Sequence, residues 1–501
     1  MSASKTVRAS VPTCALHGVQ TVPVTVEIEI GPGLPGWHIV GMPDAAVQEA
    51  RLRVRSAVRA AGFDMPSSHV VINLAPACVR KSGSGFDLPI AIAYLLATRQ
   101  INPSFVEETL AVGELALDGA VRRVDGLLAY AIAAQRDRLR LLSASDATCM
   151  PRLTGLDHAC IDHLAQLRSA SFTSPDTSVA APDGERLDYR DVVGQQFAVR
   201  ALTIAAAGGH GALLIGPPGA GKSMLAKRLP SILPSLDEDE RIETALIHSV
   251  AGLDLRAITA GVRPFRAPHH SATVASLVGG GSGNVRPGEV SLAHNGVLFL
   301  DELAEFSNSS LQALRQPIED GEVIVSRVGS RAVFPARFQL IAASNPCPCG
   351  YLGDVDHGCR CSEHQVNHYQ AKLGGPLKDR IDLICEVSRV DPARVLQSGQ
   401  GVTSARIADE VLAARERTKW RGERVSSLGN VTPHEVIESC GLTPSGRKLI
   451  EDMARKHFLS GRGIVRILRV ARTIADLDDS EVVCDEHLLE SCMYRVDNNL
   501  E

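Results

Sequence analysis

At 501 residues the chain has room for about three domains that each bury a hydrophobic core, which excludes a fibrous or disordered protein. Its residues are 45% hydrophobic and 22% charged, a composition typical of a globular α/β protein. The 52 Lys and Arg residues against 57 Asp and Glu residues leave a net charge of −5, so any contact with nucleic acid must come from local basic clusters.

The first 168 residues show the patterns of an α+β domain. Alternation from Thr21 to Ile30 predicts a strand, and the glycines and prolines of residues 31–36 predict a hairpin-like connection to Trp37–Val40. The pattern then predicts a helix ending at Gly62, a strand at His69–Leu74, a helix at Leu88–Ala97 and a strand at Thr109–Leu117.

Residues 169–187 are rich in Ser, Pro, Ala and Asp without an apolar period, which predicts a linker. Over residues 188–395, short apolar strands alternate with helical stretches and Gly-rich turns, a pattern typical of a mainly parallel sheet covered by helices. Residues 396–501 are predicted to be helical, with a capping box at Thr432–Glu435 and a long helix through Ile464–Leu477.

A short apolar strand, Ala212–Ile215, leads into GPPGAGKS, which matches the phosphate-binding loop motif. Glycines let backbone N–H groups surround phosphates, Lys222 reaches the β and γ oxygens, and Ser223 can hold Mg²⁺. The alternative is a chance glycine-rich turn, which the strand and helix on either side disfavour. The predicted nucleotide-binding residues are Gly216, Pro217, Pro218, Gly219, Ala220, Gly221, Lys222, Ser223 and Met224.

Two further apolar strands end in polar side chains that suit ATP hydrolysis. Val297–Leu300 is followed by Asp301 and Glu302, which places one acid on Mg²⁺ and the next on the attacking water. Phe338–Ala343 ends near Asn345, whose amide would orient that water, although a turn asparagine is the alternative.

The motifs GPPGAGKS, HNGVLFLDEL, SNPCPCGY and GPLKDRIDL, with DVVGQQFAVRAL before the phosphate loop, resemble those of the magnesium-chelatase-like AAA+ ATPases, most closely the ComM/YifB group. The likeness extends from LHGVQ near the N terminus to ILRVARTIADL near the C terminus. It implies a AAA+ core over residues 188–395 and a C-terminal helical lid over residues 396–501, with ATP and Mg²⁺ as cofactors.

The resemblance also implies a ring, expected to be a hexamer, that acts on single-stranded or branched DNA. Its function would be that of a branch-migration helicase that promotes recombination in natural transformation. The alternative is a magnesium-chelatase-type ATPase that inserts a metal or remodels a protein. Against that alternative, the chain has no Asp-x-Ser-x-Ser signature and carries an additional N-terminal domain.

By the same resemblance, Arg380 matches the arginine finger and Arg462 the second sensor, with Arg466 as the alternative. From the residues alone, Arg380 could equally form a surface pair with Asp379 or Asp382.

The segment RPFRAPHHSATVASLVGGGSGNVRPGE resembles a helix-2 insert that projects into a ring pore. Its adjacent His269 and His270 are expected to point apart, as neighbours on a strand do, which favours a structural or partner-contact role over a metal site.

Residues 322–337 alternate through Val323, Val325, Gly329 and Val333, which predicts a hairpin with Arg327 and Arg331 beside its tip. It resembles a hairpin that touches DNA in related motors, and a solvated hairpin with scattered arginines is the alternative.

Four of the 12 cysteines, Cys347, Cys349, Cys359 and Cys361, crowd into one short segment, which favours a reduced compartment and a local metal site. The set suits a tetrathiolate Zn²⁺ site with a structural role, although C-x-C is tighter than the usual spacing. Free thiols are the alternative, and His357 is a substitute ligand. Since the first residues, MSASKTVRAS, lack an apolar core and no apolar run nears ~18 residues, we expect a cytoplasmic protein with no membrane span.

The N-terminal domain also resembles the Lon protease domain, through GELALDGAVRRVDGLL and RKSGSGFD. That chemistry needs a serine activated by a lysine. In this register the nucleophile position is Gly85, with Ser84 one residue away, and the lysine position is Leu128. We therefore expect a catalytically inactive Lon-like domain over residues 1–168, used for assembly or DNA binding.

Overall fold

The computed structural model describes residues 6–145, 150–175, 187–281, 285–327, 330–354, 357–373, 377, 381–390, 401–423 and 432–495. These form a mixed α/β structure with sheets near the N terminus and in the middle of the chain, and helices towards the C terminus. None of the helices in this described part is both long and apolar enough to cross a membrane.

The first sheet has the order β1-β2-β4-β3. Its elements are β1 (Val7–His17), β2 (Gln20–Gly31), β3 (Gly36–Val40), α1 (Ala45–Ala60), β4 (His69–Ala75) and α2 (Asp87–Ala97). The predicted hairpin between β2 and β3 is wrong, because β4 lies between them, antiparallel to β2 and parallel to β3. The side chains of Val70, Ile72 and Leu74 on β4 are fully buried, which favours the interior position in the sheet.

The rest of the N-terminal region contains a parallel three-stranded sheet, β5-β8-β9, and one small hairpin. The elements are β5 (Thr109–Ala111), β6 (Glu114–Leu115), β7 (Val121–Arg122), α3 (Leu127–Arg136), β8 (Arg140–Ala144) and β9 (His158–Ile161). The single strand predicted at Thr109–Leu117 is interrupted because Gly113 pairs with the start of α2: Leu88 N–H donates to Gly113 O at 3.0 Å, and Gly113 N–H donates to Gly85 O at 3.2 Å.

The central sheet is parallel throughout and has the order β11-β14-β17-β10-β18. Its strands are β10 (Ala212–Ile215), β11 (Phe265–Arg266), β14 (Val297–Leu300), β17 (Gln339–Ser344) and β18 (Leu383–Glu386). Two smaller pairs are β12 (Gly279–Gly280) with β13 (Arg286–Pro287), and β15 (Glu322–Arg327) with β16 (Ser330–Pro335). The carboxyl ends of the parallel strands share one edge, where such sheets bind ligands.

Helices surround this sheet: α4 (Gln196–Gly208), α5 (Lys222–Arg228), α6 (Glu238–Val250), α7 (Arg256–Thr259), α8 (Val274–Val278), α9 (Glu289–Leu292), α10 (Asn308–Ala313), α11 (Arg315–Asp320) and α12 (Glu363–Leu373). Short 3₁₀ turns lie at Ser84–Phe86, Pro103–Phe105, Leu164–Arg168, Tyr189–Asp191, Leu229–Ile232 and Leu303–Glu305. Of the segment predicted as a linker, residues 176–186 lie outside the described residues, and Thr173 before them pairs with Cys160.

The C-terminal helices are α13 (Ser404–Trp420), α14 (Pro433–Cys440), α15 (Pro444–Lys456), α16 (Gly461–Leu477) and α17 (Asp485–Met493). The predicted capping box is confirmed, since Thr432 and Glu435 bond each other's backbone N–H groups at 3.3 and 2.7 Å. Apolar residues of α13 and α16, among them Val411 and Ile474, join the core that also contains the sheet and α4. These two helices therefore pack directly on the central sheet domain.

Candidate functional site

The predicted phosphate loop joins the carboxyl end of β10 to the start of α5. Gly216 has no room for a side chain, because a Cβ there would lie 2.0 Å from Val387 O on the neighbouring chain segment. Gly221 adopts φ +90°, a left-handed conformation that favours glycine, immediately before α5 begins at Lys222. The loop is thus fitted tightly against the sheet edge, with a helix N terminus behind it.

Lys222 lies inside this loop. Its Nζ donates to Gly216 O at 2.6 Å, to Pro217 O at 2.9 Å and to Asn345 Oδ1 at 3.1 Å. Burial lowers the pKa of Lys222, although the carboxylates of Asp301 and Glu302 act in the opposite direction. The ammonium group therefore joins the loop to the residue that follows β17.

Ser223 and Asp301 form the adjacent oxygen pair. The Ser223 hydroxyl donates to Asp301 Oδ2 at 2.6 Å, and Asp301 directly follows β14. A hydroxyl and a carboxylate oxygen are hard ligands of the kind Mg²⁺ prefers. The structure brings together these two residues, which the sequence predicts to share one ion.

Glu302 is set apart from Asp301 by its backbone. It adopts φ +53°, uncommon for a residue with a side chain, and its N–H donates to Asp301 Oδ1 at 3.0 Å. The Glu302 side chain is 55% exposed, and its Oε2 lies 3.1 Å from Nδ1 of His270.

The sequence did not reveal His270 as part of this site. The two adjacent histidines were expected to point apart, and that prediction is wrong: their ring centroids lie 4.0 Å from each other. They lie in irregular backbone after β11, where the alternation of a strand does not apply. The only signal in the sequence was their position within the segment that resembles a helix-2 insert. That position does not indicate which residue His270 contacts.

The three arginines predicted to act on the nucleotide differ in how far the structure describes and buries them. Arg380 lies outside the described residues, Arg462 is exposed in the first turn of α16, and Arg466 is half-buried one turn later. Burial raises the pKa of the Asp382 carboxyl, but the hydrogen bond with His210 and the positive charges of Arg469 and Arg466 outweigh it, so the net shift is downward. Arg466 thus lies within electrostatic range of Asp382, immediately before β18.

The four thiols predicted as metal ligands do come together. Cys347 Sγ lies 3.4 Å from Cys349 Sγ and 3.7 Å from Cys359 Sγ, and Cys349 and Cys359 are separated by 3.6 Å. Cys361 belongs to the same group, in which all four sulfur atoms lie within 4.8 Å of one another. These distances are far too long for a disulfide but close to the S···S edge of about 3.8 Å that a tetrahedral site with Zn–S bonds of ~2.3 Å requires.

The thiols of the cluster differ in their electrostatics. Backbone N–H groups of Arg360 and Tyr351 bond the Cys349 sulfur and lower the pKa of its thiol to about 6. Backbone hydrogen bonds also act to lower the pKa of Cys359 and Cys361, but desolvation and the neighbouring thiols outweigh them, so both are raised, that of Cys361 to about 12. A metal ligand must be the thiolate. His357, the predicted substitute ligand, instead has its Nδ1 3.0 Å from a guanidinium nitrogen of Arg389.

The predicted hairpin is confirmed as β15 and β16, with Ser326 opposite Arg331. Arg331 is exposed, whereas the side chain of Arg327 and the turn at residues 328–329 lie outside the described residues. The alternation in the sequence suggested that Val323 and Val333 lie on the same face of the hairpin. In the structure Val323 is on the buried face and Val333 is on the opposite face. It pairs with Ile324 across the hairpin, and Ala332 and Phe334 are the buried residues of β16.

In the N-terminal region, the positions aligned with protease chemistry carry other contacts. The Ser84 hydroxyl bonds the Glu114 carboxylate, and the buried Lys81 ammonium bonds the Pro76 carbonyl. Leu128 is fully buried in an apolar cluster with residues of the central domain, among them Leu236 and Ala245.

Comparison with known proteins identifies the family. The model described as "Magnesium chelatase, subunit ChlI" matches residues 188–395, "Subunit ChlI of Mg-chelatase" matches residues 26–145, and "Magnesium chelatase, subunit ChlI C-terminal" matches residues 401–495. The chain is 41% identical to "Uncharacterized protein YifB" of Salmonella typhimurium, with 98% of each chain covered. It is 42% identical to "Competence protein ComM" of Haemophilus influenzae (96% of each) and 41% identical to "Uncharacterized protein YifB" of Escherichia coli (97% of each). The resemblance found in the motifs is thereby confirmed, and the chain belongs to the ComM/YifB group of magnesium-chelatase-like AAA+ proteins.

Proposed function

We propose that the protein is an ATP-driven AAA+ ring motor that acts on DNA, with the role of a ComM-like branch-migration helicase in natural transformation. The observation that carries the ATPase part is the convergence of Lys222, Asn345 and the Ser223–Asp301 pair at one edge of a parallel sheet. In this proposal Lys222 binds the β and γ phosphates, while Ser223 and Asp301 bind Mg²⁺. Glu302 polarises the attacking water, and Asn345 orients it.

The ring part of the proposal concerns the contact between subunits. Arg380 would act as the arginine finger on a neighbouring subunit's ATP, and Arg462 or Arg466 would sense the nucleotide from the C-terminal helices, which form a lid. We expect a hexamer in the cytoplasm. The N-terminal residues 1–168 are proposed to form a Lon-like domain without peptidase activity. The contacts of Ser84, Lys81 and Leu128 support that absence, because none of them pairs a serine with a lysine.

The DNA part is supported by similarity over nearly the whole chain to a protein named for competence, and by the hairpin of β15 and β16. No acidic residue occurs between Val323 and Arg337, so Arg327 and Arg331 lie in a locally basic segment of an acidic chain. Such arginines are suited to phosphate contacts that do not depend on base sequence.

We further propose that the four-cysteine cluster binds one structural Zn²⁺. Metal analysis of protein purified without chelator or added metal should give about one Zn²⁺ per chain. A content near zero would leave the four residues as free thiols.

A magnesium-chelatase-type activity, in which ATP turnover drives metal insertion or protein remodelling, is the second candidate. It is favoured by the chelatase names of all three matching family models.

DNA-stimulated ATP hydrolysis separates the two candidates. We expect single-stranded or branched DNA to raise turnover of the wild type. The double variant Arg327→Ala/Arg331→Ala should lose this stimulation and keep its basal rate. A plot of its log affinity for DNA against log salt concentration should have a shallower slope. The magnitude of the slope should fall by about 0.7–0.9 for each phosphate contact that is lost. Arg455→Ala, which removes an exposed arginine of α15, is the matched control. Absence of any DNA stimulation in the wild type would favour the chelatase-type function.

A further inference from the structure

The segment that carries the four cysteines, of which residues 346–354 and 357–361 are described, contacts the phosphate loop directly. We refer to this segment as the cysteine loop. At Gly350, between the first cysteine pair and Tyr351, a Cβ would lie 2.7 Å from both Cγ and Cδ of Pro218. Gly350 also adopts φ +85°. A residue with a side chain is therefore disfavoured there on two grounds, and the backbone of the cysteine loop lies against the ring of Pro218.

Arg389 makes a second contact between the two loops. Its Nε lies 3.4 Å from Asp354 Oδ2, and another of its nitrogens lies 3.0 Å from His357 Nδ1. The guanidinium also lies 5.4 Å from the ring centroid of Tyr351. On the other side, its remaining nitrogen lies 3.5 Å from the carbonyl oxygen of Pro218.

The residues around Arg389 also order one another. The rings of Tyr351 and His357 stack with centroids 5.1 Å apart, and His357 N–H donates to Asp354 Oδ1 at 3.0 Å. The Asp354 side chain is 3% exposed although it carries a carboxylate, and the guanidinium charge of Arg389 offsets part of the cost of burying it. On the sheet side, Val387 N–H donates to Ile215 O at 2.7 Å, which fixes the backbone two residues before Arg389.

The cysteine pairs enclose the residues that surround Arg389. Cys347 and Cys349 precede Tyr351, and Cys359 and Cys361 follow His357. A metal ion bound to all four sulfur atoms would close this part of the chain into a short loop and remove much of its conformational freedom. Tyr351, Asp354 and His357 would then be confined to the positions from which they contact Arg389.

We propose that Arg389 is a positioning residue that couples the metal cluster to the ATP site. With Zn²⁺ bound, the cysteine loop fixes Arg389 and Gly350 against Pro218, and the phosphate loop keeps the shape that accepts ATP. Loss of the metal loosens both contacts and weakens ATP binding. This inference rests on the proposed Zn²⁺ site and on the proposed ATP site.

The test measures zinc content and ATP affinity separately on the full-length chain. Affinity is measured by titration with a fluorescent ATP analogue and Mg²⁺, before zinc is stripped with a chelator, after stripping, and after zinc is added back. Coupling between two sites ordinarily amounts to about 5- to 150-fold in affinity, and we expect the wild type to lose about 5- to 10-fold on stripping and to recover with zinc.

Variants assign the coupling to Arg389. Arg389→Ala should bind zinc normally and should bind the ATP analogue more weakly than the wild type does. Stripping zinc from this variant should change its affinity for the analogue by less than about twofold, whereas we expect a loss of about 5-fold or more for the wild type. Arg389→Lys keeps the charge but lacks the planar fork, so it should resemble Arg389→Ala. Arg406→Ala, which removes an exposed arginine paired with Glu410 on α13, is the matched control and should behave as the wild type.

The outcomes separate the proposals. Zinc bound in stoichiometric amount with an ATP affinity that stripping does not change would overturn the coupling and leave the metal site standing. Zinc absent from the purified wild type would overturn the metal site and the coupling together. If the wild type binds the ATP analogue in any of these samples, the proposed ATP site is supported. If it binds the analogue in none of them, the proposed ATP site is refuted. Because stripping is applied to the wild type, the test does not depend on the folding of any variant.

Discussion

Replacing His270 with alanine tests whether the residue next to Glu302 restrains ATP hydrolysis. In the structure, Nδ1 of His270 lies 3.1 Å from Glu302 Oε2, and both side chains are partly exposed, at 34% and 55%. A Glu302 carboxylate engaged with His270 is less available to polarise water. We therefore expect His270→Ala to raise basal ATP turnover.

The exposure of the two side chains sets the size of the effect. Interactions between exposed charged or polar side chains contribute up to about 1 kcal/mol. If the whole of that restraint is relieved in the transition state, about 1 kcal/mol corresponds to roughly a fivefold increase in rate. A larger increase would require a second change at the site.

Steady-state ATP hydrolysis at saturating ATP, without DNA, is the assay. His269→Ala is the matched control, because it removes the neighbouring imidazole, whose nitrogen lies 2.8 Å from the Ser271 hydroxyl, and keeps His270 itself. In a Glu302→Gln background, His270→Ala should have no effect. A basal rate in His270→Ala equal to that of His269→Ala, or below it, would refute the reasoning.

Three further predictions follow from the site and from the packing around it. Lys222→Ala should abolish nucleotide binding, whereas Glu302→Gln should bind ATP without hydrolysing it; normal turnover by Glu302→Gln would contradict the role given to the carboxylate. Arg380→Ala should lower turnover by up to about 10³–10⁵ with ATP affinity retained, and mixing it with Lys222→Ala subunits should restore part of the activity. No recovery in mixed rings that demonstrably form would argue against action across subunits. Leu128→Ala should cost about 2–5 kcal/mol in the free energy of unfolding, measured by denaturant titration, and a loss under about 1 kcal/mol would contradict its burial between domains.

The sequence predicted most reliably what is encoded locally. Ala212–Ile215 and Val297–Leu300 are continuous apolar runs that end at motif residues, so both strands were predicted with the bounds that the structure has. The four cysteines were found for the same reason, since they are neighbours in the chain.

Contacts between distant segments were not accessible in this way. Periodicity indicates which face of a strand is buried but not which strand lies beside it, so the insertion of β4 between β2 and β3 was missed. His270 and Glu302 come from separate segments, and only the folded sheet brings them together. The same holds for Arg389, which follows the last strand of the central sheet and contacts a loop that comes earlier in the chain.

The N-terminal region is packed against two parts of the central domain that lie, in sequence, between residues of the proposed ATP site. Gly126 N–H donates to Ser249 O of α6 at 2.8 Å, and Leu128 lies in the apolar cluster beside them. At the other contact, a Cβ on Gly18 would lie 3.0 Å from Cβ of Ala332 in the proposed DNA-contacting hairpin. Protein interiors are packed nearly as densely as organic crystals. Packed elements therefore switch between discrete arrangements and do not deform continuously. In the ATP-driven function proposed above, a shift of α6 or of the hairpin would therefore either move the N-terminal region with it or break one of these contacts, so we expect that region to take part in any such movement.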